Sequence, residues 1–241
     1  ETIEHLIAPP NYKNPVFLLA GGFGKRLHPL TEDTPKPLLK VGGRPIIETI
    51  LEQFIDHGFH NFYISTHYKS EQIKDFFKDG SDYGVNISYV HESNPLGTAG
   101  SLGLLPKELP DLPILVMNGD LLTKVNFKNL LDFHNNSDSD ATMCVREYDI
   151  QVPFGVVEIN EGVIEKITEK PIHKFFINAG IYVLNKNLIN LIDGNTYIDM
   201  PDFLEEELGV KGNGVNAFPI HEYWLDIGRI EEYNKAKQDA P

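Results

Sequence analysis

The sequence has 241 residues, 41% of them hydrophobic and 23% charged, which excludes the disordered and low-complexity classes and fits one globular α/β domain. With 35 acidic and 21 basic residues, the chain carries a net charge of -14, which argues against nucleic acid or an anionic membrane as its partner. The single cysteine, Cys144, excludes a disulfide framework, and no stretch resembles a membrane span or a signal peptide, so we expect a cytoplasmic protein.

The N-terminal stretch differs in character from the rest of the chain. It is polar, contains proline and shows no hydrophobic periodicity. We therefore expect residues 1–14 to be a linker or the remnant of an upstream domain. Residues 15–241 are expected to form one domain.

The first half of the chain alternates short apolar runs with segments of helical periodicity. A strand over residues 16–20 is closed by glycines, and Pro45 opens a helix whose apolar positions repeat until Gly58 ends it. This order predicts a doubly wound sheet, in which ligands bind at the carboxyl ends of the strands. Further strands are predicted over residues 62–66, 86–90 and 113–117, with a helix from Ser70 to Lys78, for which Ser70 is the expected cap, and another helix after Gly100.

The second half of the chain reads mainly as strands, with little helix between them. Asn160, Glu161 and Gly162 form a plausible hairpin turn between two of these strands. We expect antiparallel strands here, forming a lid over the first half. The predicted strands cover residues 141–147, 155–159, 163–168 and 177–184, and two late helices cover residues 199–208 and 229–237.

A glycine-rich turn, Gly21-Gly22-Phe23-Gly24, follows the first strand and ends on Lys25 and Arg26, with a further lysine at Lys36. Free backbone amides and fixed positive charge after a buried strand are typical of a phosphate-binding site. A dinucleotide fingerprint would require glycine at the position of Leu27, and a Walker A loop would require serine or threonine directly after Lys25. Both of these phosphate-binding patterns are therefore excluded.

The pattern that remains is Leu-Ala-Gly-Gly-x-Gly-x-Arg-Leu-x-Pro-Leu-Thr followed by Pro-Lys-Pro, and it resembles the sugar-1-phosphate nucleotidylyltransferases, also called NDP-sugar pyrophosphorylases. The resemblance is strongest to bacterial guanylyltransferase-like members of surface-sugar pathways, some of which carry upstream CBS modules. Further segments look like motifs of this family, in the family's order: residues 96–100, 118–120, 154–157, 169–171, 178–182 and 224–228.

The resemblance implies a fold and a reaction. The fold is a Rossmann-like, doubly wound mixed sheet of the nucleotide-diphospho-sugar transferase (GT-A-like) type, with a smaller antiparallel sugar-binding or lid part. The reaction joins an NTP to a sugar 1-phosphate and releases pyrophosphate. A phosphate monoester, with a second pKa of about 6, is already an anionic nucleophile at neutral pH, so positioning and charge stabilisation are needed rather than a general base.

The resemblance also assigns roles to individual residues. Arg26 and Lys36 would grip the triphosphate, and Asp120 and Asp226 would bind Mg²⁺, with Arg26, Lys36 and Asp120 as the catalytic residues. Lys25 replaces the threonine or serine that is usual at its position, and either a phosphate contact or a solvent-facing role fits it. The nucleotide would be bound by Leu19, Ala20, Gly21, Gly22, Gly24, Lys25, Glu92, Gly97 and Thr98, and the sugar phosphate by Asn118, Gly155, Glu169, Lys170 and Asn178.

The identity of the substrates stays open at this level. The carboxylate of Glu92 could accept from both N–H groups of a guanine edge, which favours GTP with a mannose-, heptose- or glucosamine-type 1-phosphate over UTP or dTTP. A cytidylyltransferase for a phosphorylated alcohol and a non-catalytic nucleotide-sugar sensor are the alternatives. A homo-oligomer is compatible with the sequence, which does not define the oligomeric state.

Overall fold

The computed structural model describes residues 10–210 and 214–239, and for residues 207–210 only the helical backbone. The strands are β1 (Tyr12–Leu19), β2 (Lys40–Val41), β3 (Arg44–Pro45), β4 (Phe59–Thr66), β5 (Asn86–His91), β6 (Ile114–Asn118), β7 (Leu121–Thr123), β8 (Ala141–Gln151), β9 (Gly155–Asn160), β10 (Val163–Glu169), β11 (Ile172–Leu184), β12 (Val215–Pro219) and β13 (Trp224–Asp226). The helices are α1 (Ile46–Asp56), α2 (Ser70–Phe77), α3 (Gly97–Gly100), α4 (Phe127–Asn135), α5 (Lys186–Ile189), α6 (Met200–Val210) and α7 (Ile230–Asp239).

A seven-stranded mixed sheet in the order β12-β8-β11-β6-β1-β4-β5 forms the centre of the fold. Strand β11 runs antiparallel to both of its neighbours, β6 and β8, whereas the other pairs in this sheet are parallel. The predicted doubly wound mixed α/β sheet is therefore confirmed. The carboxyl ends of β1 and β6 lie side by side, because Leu19 is in register with Asn118.

Apolar side chains cover both faces of the central strands. Val16 and Leu18 belong to one buried cluster, together with Phe54 of α1, whereas Phe17 between them belongs to the other cluster, with Phe203 of α6. Alternate residues of a strand point to opposite faces, so an uninterrupted apolar run such as that in β1 indicates a strand covered on both sides. This packing fixes the position of the loop that follows β1.

Helix α1 shows the predicted start and stop signals. Pro45 precedes its first residue, the helix ends at Asp56, and Gly58 follows in the left-handed region at φ 92°. The ring of Phe54 stacks on Phe127 of α4 with a centroid separation of 3.7 Å. The helix predicted at this place is thus confirmed, and α4, which the sequence reading missed, is its partner.

Several local expectations were wrong. Ser70 does not cap α2, because Lys69 occupies the capping position at φ 51° and the Ser70 hydroxyl donates to Glu71 at 3.2 Å. The helix expected after Gly100 begins already at Gly97, lasts a single turn and continues as a 3₁₀ turn over Ser101–Leu104. Strand β12 was not predicted, since its pairing with β8 depends on a partner distant in sequence.

The beginning of the described chain already belongs to the sheet. Strand β1 starts at Tyr12, whose amide donates to the carbonyl of Gly58 at 2.8 Å, so residues 12–14 of the expected linker are in the fold. Residues 1–9 of that expected linker lie outside the described residues. Within the described residues, no helix is long and apolar enough to cross a membrane.

A two-stranded ribbon projects beyond the sheet, and we call its residues 146–177 the arm. Its inner segment is formed by residues 146–151 of β8, which pair with residues 172–177 of β11. Its outer segment is the hairpin of β9 and β10. The predicted hairpin turn is confirmed, with Glu161 at φ 48° and Gly162 at φ 84°, as a type I′ turn requires. The four predicted strands of this region are confirmed as β8 and β11, which begin in the central sheet, and as β9 and β10 of the hairpin.

Candidate active site

The loop after β1 brings two basic residues to the carboxyl edge of the sheet. Arg26 lies in a 3₁₀ turn over Lys25–Leu27, and Lys36 begins a second turn over Lys36–Leu38. The buried Thr31 hydroxyl donates to the carbonyl of Gly24 at 2.8 Å and so ties the loop to itself between the two turns. The loop is also held by α2, where the Gln72 side-chain amide donates to the carbonyl of Asp33 at 2.9 Å.

Lys36 and Asp120 form a partly buried ion pair. The Lys36 ammonium donates to Oδ2 of Asp120, and only 8% of Lys36 is exposed. A buried lysine requires a partner, because an unpaired charge loses its hydration. The residue expected to bind phosphate is thus paired in this structure with a residue expected to bind metal.

The two aspartates predicted as metal ligands are brought together by a small ribbon of β7 and β13. Asp226 is in register with Leu121, and the amide of Ile227 donates to the carbonyl of Asp120 at 3.0 Å. Burial raises the pKa of Asp226 above its ordinary range, the charge of Asp120 raises it further, and Lys36 and Arg26 act in the opposite direction. Although 106 positions apart in sequence, the two carboxylates interact directly through their charges.

The carboxylate pair suits a hard divalent cation. Oδ1 of Asp120 is buried without a hydrogen-bond partner among the described residues, and Asp226 is destabilised as an anion by its neighbour. Carboxylate oxygens are the ligands that Mg²⁺ prefers, and Mg²⁺ is commonly held by one or two of them together with substrate phosphates. Within the described residues, no group of three or more His, Cys, Asp or Glu side chains is placed to hold a metal, so phosphate and water oxygens would have to complete the shell.

These groups open into one cleft of about 380 Å³. Its polar end carries the charged groups described above, and its other end is bounded by α3 and the loop before it. Of the predicted residues, the cleft is lined by Leu19, Gly21, Gly22, Arg26, Lys36, Glu92, Gly97, Thr98, Asn118, Asp120 and Asp226. Gly24 and Lys25 line an adjoining hollow of about 330 Å³, which shares Arg26, Lys36 and Asp120 with the cleft.

Glu92 lies at the end of the cleft away from Asp226 and is only 5% exposed. Its Oε2 accepts from the amide of Leu96 at 3.1 Å, and its carbonyl is 2.7 Å from Nδ1 of His67. A Cβ on Gly21 would lie 2.7 Å from Oε1 of Glu92, so a larger residue at position 21 would displace that carboxylate oxygen. One carboxylate oxygen of Glu92 is therefore engaged by the protein itself.

Asp199 and Tyr197 also line the cleft, and the sequence reading missed both as site residues. Oδ1 of Asp199 accepts from the amide of Thr98 at 3.1 Å and from its hydroxyl at 3.3 Å, while Oδ2 accepts from the Tyr197 hydroxyl at 2.8 Å. This contact requires glycine at position 97, where φ is 77°. A Cβ on any other residue there would lie 2.4 Å from the carbonyl oxygen of Ile198. Only the acidic start of the late helix could have indicated this role.

A smaller notch of about 80 Å³ adjoins the cleft beside Asp226 and contains two predicted sugar-phosphate residues, Asn118 and Asn178. The Asn178 amide donates to the Tyr182 hydroxyl at 2.6 Å and accepts from the Gly180 amide at 2.9 Å. Oδ1 of Asn118 is buried without a hydrogen-bond partner among the described residues. Asn178 is thus held in place, while Asn118 retains a free acceptor.

Other predicted residues do not line the cleft. Ala20 is buried, with its amide donating to the Ser65 carbonyl at 3.2 Å. Gly155, Glu169 and Lys170 are exposed on the arm and are absent from the cleft lining. Strand pairing sets Gly155 opposite Glu169, so these two residues form one group, separate from the cleft in this conformation.

Comparison with known proteins agrees with the mixed α/β fold described above. The model of the nucleotidyl transferase family matches residues 16–241. The chain therefore belongs to the nucleotidyl transferase family, and the resemblance inferred from its motifs is confirmed.

The chain is also similar to individual curated proteins over most of its own length. Mannose-1-phosphate guanyltransferase of Debaryomyces hansenii is 34% identical over 227 residues, which cover 90% of this chain and 61% of the relative. The chain thus spans about three fifths of the length of the curated relatives it matches.

Solved structures share the fold. HddC from Yersinia pseudotuberculosis aligns with a TM-score of 0.73 at 29% identity, covering 93% of this chain and 98% of that one. Its complex with GMP-PN aligns with a TM-score of 0.71 at 27% identity, with the same coverage. A putative glucose-1-phosphate thymidylyltransferase from Bacillus anthracis has the same fold, with a TM-score of 0.74 at 23% identity over 93% of this chain and 94% of that one.

Proposed function

We propose that this chain transfers a nucleotidyl group from an NTP, with GTP favoured, to a sugar 1-phosphate. The observation that carries the proposal is the meeting of Arg26, Lys36, Asp120 and Asp226 at the carboxyl edge of β1 and β6, in one cleft. Two cations and two carboxylates at one point suit a reaction between two polyanions. Family membership supports the same class of chemistry.

In the proposed reaction, a phosphate oxygen of the sugar 1-phosphate attacks the α-phosphorus of the NTP. A new P–O bond forms to the α-phosphorus, and the bond between that atom and the α–β bridging oxygen breaks. Pyrophosphate leaves with the electron pair of the broken bond. The attacking phosphate is already ionised near neutral pH, so no side chain has to remove a proton.

The basic residues would bind and orient the triphosphate. Arg26 presents a planar fork that can span two phosphate oxygens, and Lys36 presents a compact ammonium. Triphosphate oxygens would compete with Asp120 for the Lys36 ammonium. When Lys36 turns to a phosphate, the Asp120 carboxylate becomes available to a metal ion. Asp120 and Asp226 would hold Mg²⁺, which would supply positive charge to the reacting phosphates.

The sugar side of the proposal combines two groups of residues. Asn118 and Asn178 already line the notch beside Asp226. Gly155, Glu169 and Lys170 lie on the arm, so their proposed contact with the sugar phosphate requires the arm to approach the cleft. The ammonium of Lys170 would then neutralise the phosphate, and the Glu169 carboxylate would accept from sugar hydroxyls.

The preference for guanine rests on Glu92 and on the relatives. Oε1 of Glu92, together with the remaining lone pair of Oε2, could accept from the two N–H groups of a guanine edge, and uracil offers only one such donor. Relatives include mannose-1-phosphate guanyltransferases and HddC in complex with GMP-PN. A mannose-, heptose- or glucosamine-type 1-phosphate is the proposed acceptor. A cytoplasmic location, upstream CBS modules and a domain boundary ahead of Tyr12, where β1 begins, are further parts of the proposal.

Pyrophosphate release tests this function directly. The purified chain is incubated with Mg²⁺ and each of GTP, ATP, UTP, CTP and dTTP, combined with a panel of sugar 1-phosphates and with phosphocholine. Release with GTP and a sugar 1-phosphate, but not with CTP and phosphocholine, is expected. Calorimetric binding of NDP-sugars without turnover on any pair would instead indicate a sensor.

A further inference from the structure

One charged side chain of the cleft has no part in the reaction proposed above. Six charged side chains line the cleft in the described part of the chain, and five of them are assigned to the triphosphate, the metal ion or the base. The sixth is Asp199, which is half-buried and forms no ion pair among the described residues. A carboxylate that faces a cleft without a cation keeps its capacity to accept hydrogen bonds from a ligand.

Protein donors fix the position of the Asp199 carboxylate. Oδ1 accepts from the amide and the hydroxyl of Thr98, and Oδ2 accepts from the Tyr197 hydroxyl at 2.8 Å. The Met200 amide donates to the Thr98 hydroxyl at 2.7 Å, so the hydroxyl proton of Thr98 is directed at Asp199. An ionised carboxylate has about four lone-pair sites, so Oδ2 retains one acceptor site for a further donor.

Asp199 directly precedes α6, but within the described residues its side chain accepts from Thr98 and Tyr197 rather than from the first turn of that helix. Aspartate is favoured before a helix because its carboxylate can accept from a first-turn amide. The backbone around Asp199 is tied to the cleft as well. The Ile198 amide donates to the carbonyl of Leu96 at 2.9 Å, and the Ala99 amide donates to the carbonyl of Ile198 at 3.0 Å. Asp199 is thus built into the cleft wall.

The geometry of the proposed reaction separates the acceptor sugar from the leaving pyrophosphate. The attacking and leaving oxygens lie roughly in line on opposite sides of the α-phosphorus. The hollow lined by Gly24, Lys25 and Arg26 is the basic end of the site and would receive the pyrophosphate. Among the described residues that line the hollow, neither Tyr197 nor Asp199 is found, although both line the cleft. Asp199 therefore lies away from the leaving group.

The base and the acceptor sugar would meet different parts of the loop that leads into α3. Glu92, the residue proposed for the base, accepts from the amide of Leu96, whereas Asp199 accepts from Thr98. The notch beside Asp226 has about 80 Å³ against about 380 Å³ for the cleft, so a sugar ring that binds at the notch extends into the cleft. Asp199 is the charged side chain that remains in the cleft to meet it.

We propose that Asp199 binds the acceptor sugar, with Oδ2 accepting a hydrogen bond from one ring hydroxyl, and so selects sugars that carry a hydroxyl at that position. This inference rests on the proposed function and extends it to a residue that reads the sugar ring rather than its phosphate. A site built to bind a hydroxyl disfavours an analogue without it, because the acceptor is left unpaired. A carboxylate cannot donate, so an O-methyl group at the same position would also be disfavoured.

Asp199→Asn separates the sugar contact from the support of Thr98. The Oδ1 of asparagine can still accept from Thr98, whereas its Nδ2 cannot accept from a hydroxyl. Asp202→Asn, at an exposed position in the first turn of α6, is the matched control for the loss of charge. Titration calorimetry with Mg²⁺ measures the Kd of GDP-mannose and of GDP for the wild-type chain and both variants.

The wild-type chain and Asp202→Asn should bind GDP-mannose more tightly than GDP. Asp199→Asn should weaken the binding of GDP-mannose about tenfold or more, because a hydrogen bond to a charged group is lost, and should change the Kd of GDP by less than about threefold. Four results would each overturn the proposal. They are no binding of either ligand, equal binding of both by the wild-type chain, no effect of Asp199→Asn, and an equal loss for both ligands.

Substrate analogues identify the hydroxyl and test the competing assignment to the ribose. With mannose 1-phosphate and its monodeoxy analogues, one analogue should lower the kcat/KM of the wild-type chain about tenfold or more. Asp199→Asn should lose most of the discrimination against that analogue. Loss of discrimination against 2′-deoxy-GTP instead would place Asp199 on the nucleotide and overturn the proposal. The binding of GDP-mannose requires no turnover, so a failure of the proposed transfer reaction would remain distinguishable from a failure of this contact.

Discussion

The cleft at the edge of the sheet and the arm distribute polar and apolar groups in opposite ways. Lys36 and Glu92 are charged and almost completely buried, whereas Ile159 and Phe176 are apolar and about two-thirds exposed. Charged groups are rarely buried unless they are paired, and large apolar groups are exposed in clusters mainly where something binds them. The comparison shows two kinds of incomplete surface in one chain, namely a charged cleft whose groups suit phosphates and an exposed apolar ribbon.

The largest expected effect concerns the two carboxylates of the cleft. Asp120→Asn and Asp226→Asn should each lower kcat/KM by at least about 10²–10³-fold, because each carboxylate would hold the Mg²⁺ that neutralises charge on the reacting phosphates. Asp111→Asn, an exposed aspartate before β6, is the matched control. Retained activity in both variants would remove the assignment to Asp120 and Asp226.

The Asp226 variant should also show that this loss is not a loss of folding. Replacing Asp226 removes its repulsion with Asp120, so the Tm should be unchanged or rise by about 1–3 °C, a small effect for a chain of this size. Differential scanning calorimetry without ligand measures it. A marked fall in Tm would mean that the carboxylate supports the fold rather than the reaction.

The next effect contrasts two phenylalanines. Phe54→Ala should lower the free energy of unfolding by about 3–5 kcal/mol, because Phe54 is fully buried and stacked on Phe127. Phe176→Ala, at an exposed position on the arm, should change it by less than about 0.5 kcal/mol. Denaturant unfolding of dilute protein measures both. Similar losses for the two variants would mean that the arm is already packed within one molecule.

Two lysines of the loop after β1, one buried and one exposed, should differ in how much their removal lowers kcat/KM. Lys36→Ala should lower kcat/KM by about 10²-fold, since it removes a cation that is fixed in place before substrate binds. Lys25→Ala should cost less than about tenfold, because Lys25 is exposed, with its ammonium 5.4 Å from the centre of the Phe23 ring. An equal loss for both would place Lys25 on the phosphates.

The smallest effect is a pH dependence of stability from His134. Burial lowers the pKa of His134 below its ordinary value, while its ring nitrogens contact the Thr142 hydroxyl and the Asn185 amide oxygen. A depressed histidine pKa means that the unfolded chain binds the proton first, so this contribution is present above pH 6.5, the ordinary value, and is lost as the pH falls below it. His134→Gln should flatten the stability curve between neutral and mildly acidic pH. An unchanged slope would exclude His134 as the titrating group.

Much of the fold could be predicted because its signals are local. The apolar run of β1, the proline and glycine that bound α1, and the Glu161–Gly162 turn each act within a few residues. Helix α4 could have been predicted too, since Asn126 caps it by accepting from the Asn129 amide at 3.0 Å. Strands β7 and β12 could not, because short strands exist only through distant partners.

The residues of the candidate site also fall into two groups, those that a local motif predicts and those that only the fold brings together. Arg26 and the glycines were found because a phosphate loop is a continuous motif. The pairing of Lys36 with Asp120, 84 positions apart, and the network from Asp199 to Thr98 depend on the fold and leave no sequence pattern of their own. The position of Glu169 and Lys170 away from the cleft depends on where the arm lies, which residue types cannot indicate.

The register of β7 against β13 makes the spacing of the two carboxylates a property of the backbone. Asp226 is set beside Asp120 by the pairing with Leu121 and by one amide-to-carbonyl hydrogen bond, so length changes in the exposed loops between the two aspartates leave that spacing unaltered. A single residue inserted or deleted within β13 would instead turn Asp226 to the other side of the ribbon, because side chains alternate along a strand. The spacing of the two carboxylates should therefore tolerate insertions in those loops but no change of length in the three residues of β13.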